Sequence, residues 1–251
     1  AVVFVVSLRR WQIYPESVHA DLRHPVKHTF VSALPISMVL VSALWLVLTH
    51  ESPLALEVFW GLGALGELAT TIWVLSRWIK PAEQGGIPVT AITPVIFLPL
   101  VGNLLVAWAG VPFGHTIWSA MQAGLGAFLW PIGLMVLLFR VFQSGPLPPS
   151  MTPTWFILIV PPSALALSVN LWHPPGMVLW AIWGMALLSF MWALTQVKAI
   201  INQPFALTHW GLSFPLTAFT SASLMMAQSA DGDWLWVPSL ALLAITSVVV
   251  L

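Results

Sequence analysis

Apolar segments long enough to cross a lipid bilayer follow one another along almost the whole chain. A transmembrane helix needs about 20 predominantly apolar residues. The stretches that approach or exceed this length, separated by clusters of Pro, Gly and polar residues, are 29–49, 54–79, 91–110, 115–142, 153–171, 176–200, 206–228 and 234–251. Backbone amides in hydrocarbon must be paired within their own segment, and barrel strands would be shorter and would alternate apolar with polar residues. The eight spans are therefore predicted to be helices.

Composition excludes a water-soluble fold. Of 251 residues, 59% are hydrophobic and 6% are charged, whereas about 25% are charged in ordinary soluble proteins. The formal net charge is zero, so no field attracts nucleic acid. We predict an all-α membrane protein, one transmembrane domain over residues 1–251, with the lipid bilayer as its surroundings and no nucleic-acid partner.

Both ends of the sequence are apolar. The run 1–8 is too short to cross a bilayer, and Arg9 and Arg10 follow it, whereas a signal peptide has its basic residues first. The last span is still apolar at Leu251. We therefore expect the chain to be truncated at its N-terminus and at its C-terminus.

The basic residues predict how the chain is oriented. With eight spans, every Lys and Arg falls on one side of the membrane: Arg9, Arg10, Arg23, Lys27, Arg77, Lys80, Arg140 and Lys198. Because Lys and Arg accumulate in cytoplasmic loops, the pattern indicates a multi-pass protein of the inner (plasma) membrane with its basic loops in the cytoplasm.

Alternate spans tend to contain an interior proline, with Pro131 in the fourth span as an exception. The first, third, fifth and seventh spans carry Pro35, Pro99, the pair Pro161 and Pro162, and Pro215. Proline removes a helix hydrogen bond and bends the axis. The third and fifth spans also begin alike, with TPVIF at 93–97 and TPTWF at 152–156. We predict a repeated helical hairpin whose kinked members form one inner ring, although prolines also favour helix starts for local reasons.

Two segments resemble a known family. Residues 94–103 (PVIFLPLVGN) and 208–217 (THWGLSFPLT) are similar to the tellurite-resistance and dicarboxylate transporter family, which includes bacterial TehA and the plant slow-type anion channels. The dipeptide His24-Pro25 and the segment 161–164 (PPSA) fit the same pattern. The resemblance extends over nearly the whole chain.

The resemblance implies a ten-helix bundle of five hairpins, usually a homotrimer. Odd-numbered helices, kinked by proline, surround a central pore that a phenylalanine plugs. The eight spans would be helices three to ten, residues 1–8 would end the second helix, and the first pore helix would be absent. The gate would be Phe214, and Pro35, Pro99, Pro162 and Pro215 would shape the pore. The family commonly has tryptophan where this chain has His209.

Pore-lining residues follow partly from helical spacing. Trp210, Phe214, Thr217 and Ser221 are spaced by four, three and four residues and share one face. Spacing alone equally fits a packing or lipid-facing stripe, and the resemblance favours the pore. The kinked spans carry no charge at mid-length, so we expect hydroxyls, the amide of Asn103 and helix dipoles to stabilise anions. The predicted lining residues are Asn103, Thr217 and Ser221.

Few residues suggest other chemistry. Glu67 is the only ionisable residue near the centre of a span, which makes it either a proton-coupling site or a structural carboxyl. His209 is the other residue predicted to couple a proton. His24 and His28 are interpreted as a solvated basic cap and not as metal ligands. No catalytic residue, metal or cofactor is predicted.

Two transport functions and one redox function are consistent with these patterns. The first is a pore for small inorganic or organic anions, gated by Phe214. The alternative is a secondary carrier that exports dicarboxylate, sulfite or a related oxyanion, with or without a coupled proton. The third, a redox or enzymatic membrane protein, would need paired histidines deep in the spans for haem, and the histidines lie at the span edges.

Overall fold

The computed structural model describes residues 9–173, 176–229 and 232–250, and this part of the chain contains helices and no strands. The predicted stub at 1–8 and Leu251 lie outside the described residues. The helices are α1 (Pro15–Arg23), α2 (Lys27–Thr49), α3 (Leu54–Trp78), α4 (Pro94–Gly110), α5 (Thr116–Ser144), α6 (Pro149–Val169), α7 (Met177–Leu194), α8 (207–227) and α9 (Asp233–Val250). A short helix, Val197–Ile201, joins α7 to α8.

The eight helices from α2 to α9 occupy the eight predicted spans. Six of them are both long and apolar enough to cross a membrane: α2, α3, α5, α6, α7 and α9. The apolar helix α4 is shorter. The all-α membrane bundle predicted from the sequence is confirmed. Of the six, α6 is the most central, since 67% of its span is buried against 17–33% for the others.

The prolines of alternate helices share one local structure. Each of α2, α4, α6 and α8 begins as a 3₁₀ helix and becomes an α-helix two residues before its proline. The α segments begin at Ala33, Phe97, Val160 and Ser213, which places Pro35, Pro99, Pro162 and Pro215 at the third position of each. The first turn of an α-helix needs no donated N–H, so proline is accommodated there without losing a bond.

Small residues allow the first hairpin to pack closely. A Cβ built on Gly63 of α3 would lie 2.9 Å from Met38 Cβ and 3.0 Å from the carbonyl oxygen of Pro35. A Cβ on Gly66 would lie 3.2 Å from Pro35 Cβ. Glycine lets the backbones of α2 and α3 approach, as small residues do in membrane bundles generally. The ring of Pro35 therefore faces the outer helix α3.

Arg77 anchors the segment that precedes α2. Its guanidinium donates to the carbonyl oxygens of Gly85 (2.9 Å), Leu22 (2.9 Å) and Arg23 (3.1 Å). The last carbonyls of α1 have no helical partner, and Arg77 satisfies two of them. The end of α3 and the start of α2 therefore lie at the same end of the bundle. We call this end, where α2, α4, α6 and α8 begin, the basic end.

Candidate functional site

A cavity of about 820 Å³ opens at the basic end of the bundle. Every lining residue belongs to α2, α4, α6 or α8, or to the short segment before α2. The lining extends from the first residues of these helices to Leu40, Leu105, Val160 and Pro215. Four helices of shared 3₁₀-to-α structure therefore enclose one lumen, and α3, α5, α7 and α9 contribute no side chain to its lining.

Phe214 lies at the deep end of this cavity. Its half-buried ring lines the cavity and packs against the hydrophobic cluster that includes Leu104, Val160 and Ala164. Among the described residues of α8, it is the one that packs against that cluster, since the other core residues of α8 belong to a second cluster with residues of α6, α7 and α9. The side chain thus reaches from α8 across to the helices opposite.

The four prolines do not all face the lumen. Pro215 lines the cavity. Pro35, Pro99 and Pro162 are buried in the helix packing and are not in its lining. The carbonyl of Pro99 accepts hydrogen bonds from the hydroxyl of Thr71 and, at 3.4 Å, from the amide of Asn103. The four prolines occupy the same position in their helices, but only the ring of Pro215 lines the lumen.

Hydroxyls in and near the lumen donate to the backbone. Ser37, Thr154 and Thr208 line the cavity and donate to the carbonyls of Ala33, Met151 and Ser150. Thr217 and Ser221 are exposed and lie beyond the cavity, and the Thr217 hydroxyl donates to Ser213 at 2.8 Å. An anion needs donors, and these hydroxyl hydrogens, except that of Ser221, are already committed.

Asn103 is not where the sequence led us to expect it. The prediction that it lines the pore is wrong, because its side chain is fully buried between α3, α4 and α5. It donates to the Thr71 hydroxyl at 2.8 Å and accepts from the Gln122 amide at 3.0 Å. Gln122 also donates to the carbonyl of Ala64 at 2.9 Å. The residue connects the inner helix α4 to the outer helices.

Donors for an anion concentrate at the mouth of the cavity. Lys27 and His24 both line it. The Nδ1 atom of His24 accepts from the backbone N–H groups of Val26 (3.1 Å) and Lys27 (3.2 Å), so its proton is carried on Nε2. Lys27 Nζ lies 3.0 Å from Asp21, whose second partner is Arg10. Hydrogen bonds from Lys27 and then Arg10 lower the pKa of Asp21.

Glu67 lies behind the cavity wall, and His209 lies at the basic end. The Glu67 side chain is fully buried on α3. Nδ1 of His209 lies 3.0 Å from the backbone nitrogen of Ala206, at the start of α8, and its ring stacks on Phe205 with centroids 5.3 Å apart. His209 is half-buried and is not in the cavity lining, unlike its neighbours Thr208 and Trp210.

The two histidines of the predicted basic cap are in different environments. His24 is exposed, but His28 is fully buried with its ring 5.8 Å from that of Trp73. The interpretation of both as a solvated cap is therefore wrong for His28. His24 has extended backbone angles because the following Pro25 disfavours the helical conformation. In the described part of the chain, no three His, Cys, Asp or Glu residues form a group that could hold a metal ion.

Sequence reasoning missed the mouth of the lumen. It counted Lys27 as an orientation signal, and His24 as part of a cap and of the family pattern, but neither as a pore residue, because neither lies within an apolar run. Lys27 begins α2 and His24 lies in the short segment before it, and α2 is one of the proline-containing helices that surround the lumen. A basic residue at the start of an inner helix is the signal that could have identified the mouth.

The helices and their lumen define a multi-pass α-helical membrane protein of the transporter or channel class. The whole chain, residues 1–251, matches the family described as voltage-dependent anion channel (SLAC1). The chain belongs to this family, as the resemblance in its proline-containing segments predicts. Members of the family are transporters or channels, which agrees with the prediction that the protein is not an enzyme.

Relatives come from archaea, bacteria and plants. An uncharacterised transporter of Methanocaldococcus jannaschii is 26% identical over 246 residues, which cover 88% of this chain and 70% of the relative. A tellurite resistance protein TehA homologue of Haemophilus influenzae is 28% identical, over 84% of this chain and 63% of the relative. An S-type anion channel of Arabidopsis thaliana is 22% identical, over 92% of this chain and 44% of the relative.

Proposed function

We propose that this protein passes small anions across the inner (plasma) membrane through the lumen between α2, α4, α6 and α8, and that Phe214 is its gate. The observation that carries the proposal is the common lining of the cavity by these four helices, with Phe214 at its deep end. Family membership supports anion transport in general. The basic end faces the cytoplasm in this proposal, because all eight Lys and Arg residues belong to that end.

The geometry suggests how an anion moves. Lys27 attracts it to the mouth, where long-range attraction raises the local anion concentration, and the Nε2–H group of His24 is a hydrogen-bond donor there. The deeper wall is apolar and contains no fixed cation among its lining residues, so the anion is held weakly and can leave quickly. The ring of Phe214 fills the path until it changes rotamer. Passage through each subunit of a homotrimer remains a prediction from the resemblance.

Recordings from the full-length protein in planar bilayers test the function. We expect current steps whose reversal potential, in asymmetric salt, follows the anion gradient. Saturable uptake of dicarboxylate or sulfite into vesicles, with no current steps, would contradict the channel and identify a carrier.

Neutralising Lys27 is expected to reduce anion entry. The variant Lys27→Gln should lower anion conductance about fivefold in dilute salt, because an ammonium group at the mouth stabilises a passing anion by about 1 kcal/mol. The difference should shrink in concentrated salt, which screens exposed charges. Conductance measured against ionic strength checks this.

Lys80→Gln is the matched control, since Lys80 is exposed just after α3 and is not in the cavity lining. An equal loss of conductance in both variants would show that the mouth has no special part in anion entry.

A further inference from the structure

A buried carboxyl group lies directly behind the wall of the lumen. Oε1 of Glu67 occupies the space where a Cβ on Gly102 would be, and the side chain of Ile36 lies beside the same point. Gly102 and Ile36 both line the cavity. Only the backbone of a glycine and one aliphatic side chain therefore separate Glu67 from the lumen.

One oxygen of this carboxyl group has no partner. Among the described residues, none forms a hydrogen bond with Glu67 Oε1. The other oxygen, Oε2, lies 3.4 Å from the hydroxyl of Thr70, which in turn lies 3.1 Å from the hydroxyl of Ser32 on α2. Thr70 and Ser32 thus form a short run of hydroxyls between α2 and α3, ending at the carboxyl group.

In the part of the chain that the structure describes, no cation is placed to neutralise an ionised Glu67. On its own helix, Arg77 is ten residues away, about 15 Å, and is bound to carbonyl groups. On α5, Arg140 donates to Gly145. Glu57, at the other end of α3, is paired with His115 at 2.6 Å.

The helices that pack against Glu67 contribute few titratable groups near it. From α2, His28 is the buried titratable group, and its Nδ1 lies 3.1 Å from the carbonyl oxygen of His24. Lys27, at the start of α2, is exposed and paired with Asp21. From α4 there is no titratable residue at all between Pro94 and Gly110. An unpaired carboxylate in such a site is strongly disfavoured, and a bound proton removes the unfavourable charge.

We propose that Glu67 is a proton-binding site that controls anion passage through the lumen. With the proton bound, the wall at Gly102 is neutral and anions pass. When the proton is lost, a negative charge lies behind a wall one residue thick, in a medium of low dielectric constant, and it repels anions from the lumen. Anion flux should therefore rise as pH falls. A sodium ion is disfavoured as the occupant, since hard cations need about six oxygen ligands.

Two measurements on the full-length protein test the site. In vesicles, wild-type anion flux should increase about tenfold over the titration as pH falls, whereas Glu67→Gln, which resembles the protonated acid, should hold flux within about twofold of the wild-type maximum at every pH. In detergent, the infrared carbonyl band of a buried carboxylic acid should be present in the wild type and absent from Glu67→Gln. Glu57→Gln, the same change on the same helix, should leave both properties unchanged.

The possible outcomes distinguish a failure of the proton site from a failure of the proposed channel function. The effect on flux rests on the proposed anion function, but the infrared band does not. If the band belongs to Glu67 while no variant passes anions, the proton site is upheld and the proposed function fails. If anions pass, and Glu67→Gln keeps the infrared band and the pH profile of the wild type, the proton site is overturned and the channel remains. The same conclusion follows if anion flux depends on the sodium concentration and not on pH.

Discussion

Replacing Phe214 with alanine is expected to increase anion conductance by at least tenfold. The ring lies at the deep end of the cavity and packs against the cluster on the opposite side. Truncation to a methyl group removes the obstruction from the path while leaving the backbone of α8 unchanged. Each 1.4 kcal/mol removed from a barrier increases a rate about tenfold, and loss of a steric plug should exceed this. Bilayer recordings of wild type and variant measure the effect.

Phe128 provides a matched control. It lies on the outer helix α5 and 66% of its surface is exposed, so Phe128→Ala removes the same ring from outside the lumen. Its conductance should equal that of wild type. A Phe214→Ala conductance that is also unchanged would show that this ring does not block the path.

The second large effect is expected at Asn103, on stability. The variant Asn103→Ala leaves the Thr71 hydroxyl and the Gln122 amide each without one of their partners. A buried polar group that loses its partner costs about 1–3 kcal/mol, and the side chain of Asn103 is itself fully buried. We expect a loss of roughly 2–4 kcal/mol, measured as a lower unfolding temperature in detergent.

The anion selectivity of that variant should not change, because Asn103 does not line the cavity. Asn202→Ala is the control for stability, since Asn202 is exposed beyond the short helix Val197–Ile201. A change in anion selectivity with unaltered stability would show that Asn103 lines the pore after all.

The sequence was sufficient to find the helices but not their internal change of geometry. Apolar runs and alternating prolines predicted eight spans and an inner set of four, because both signals are local. The 3₁₀ start of each inner helix, such as the eleven-residue segment Pro149–Ile159, was not predicted. Long 3₁₀ segments are uncommon, so an apolar run that contains proline predicts a kinked α-helix.

Polar side chains in the spans were harder to place. Asn103 is a polar residue on a helix whose sides are nearly all buried, so its position in sequence fits the lumen and the helix packing equally well. Its partners Thr71 and Gln122 are 32 and 19 residues away. Only the packing of α3, α4 and α5 brings them together, and periodicity within one helix contains no information about that.

Accessibility of single cysteines along the lumen tests the central claim most directly, namely that anions pass between α2, α4, α6 and α8. The sequence contains no cysteine, so each introduced thiol is the only one in this region. In the Phe214→Ala background, Ile36→Cys, Leu98→Cys and Ile157→Cys place a thiol in the cavity lining on three different helices. Leu188→Cys places one on the exposed outer face of α7. We expect a negatively charged thiol reagent to reduce the anion current of the first three and to leave the fourth unchanged. Labelling of the three lining cysteines with no change in current would show that anions cross by another route.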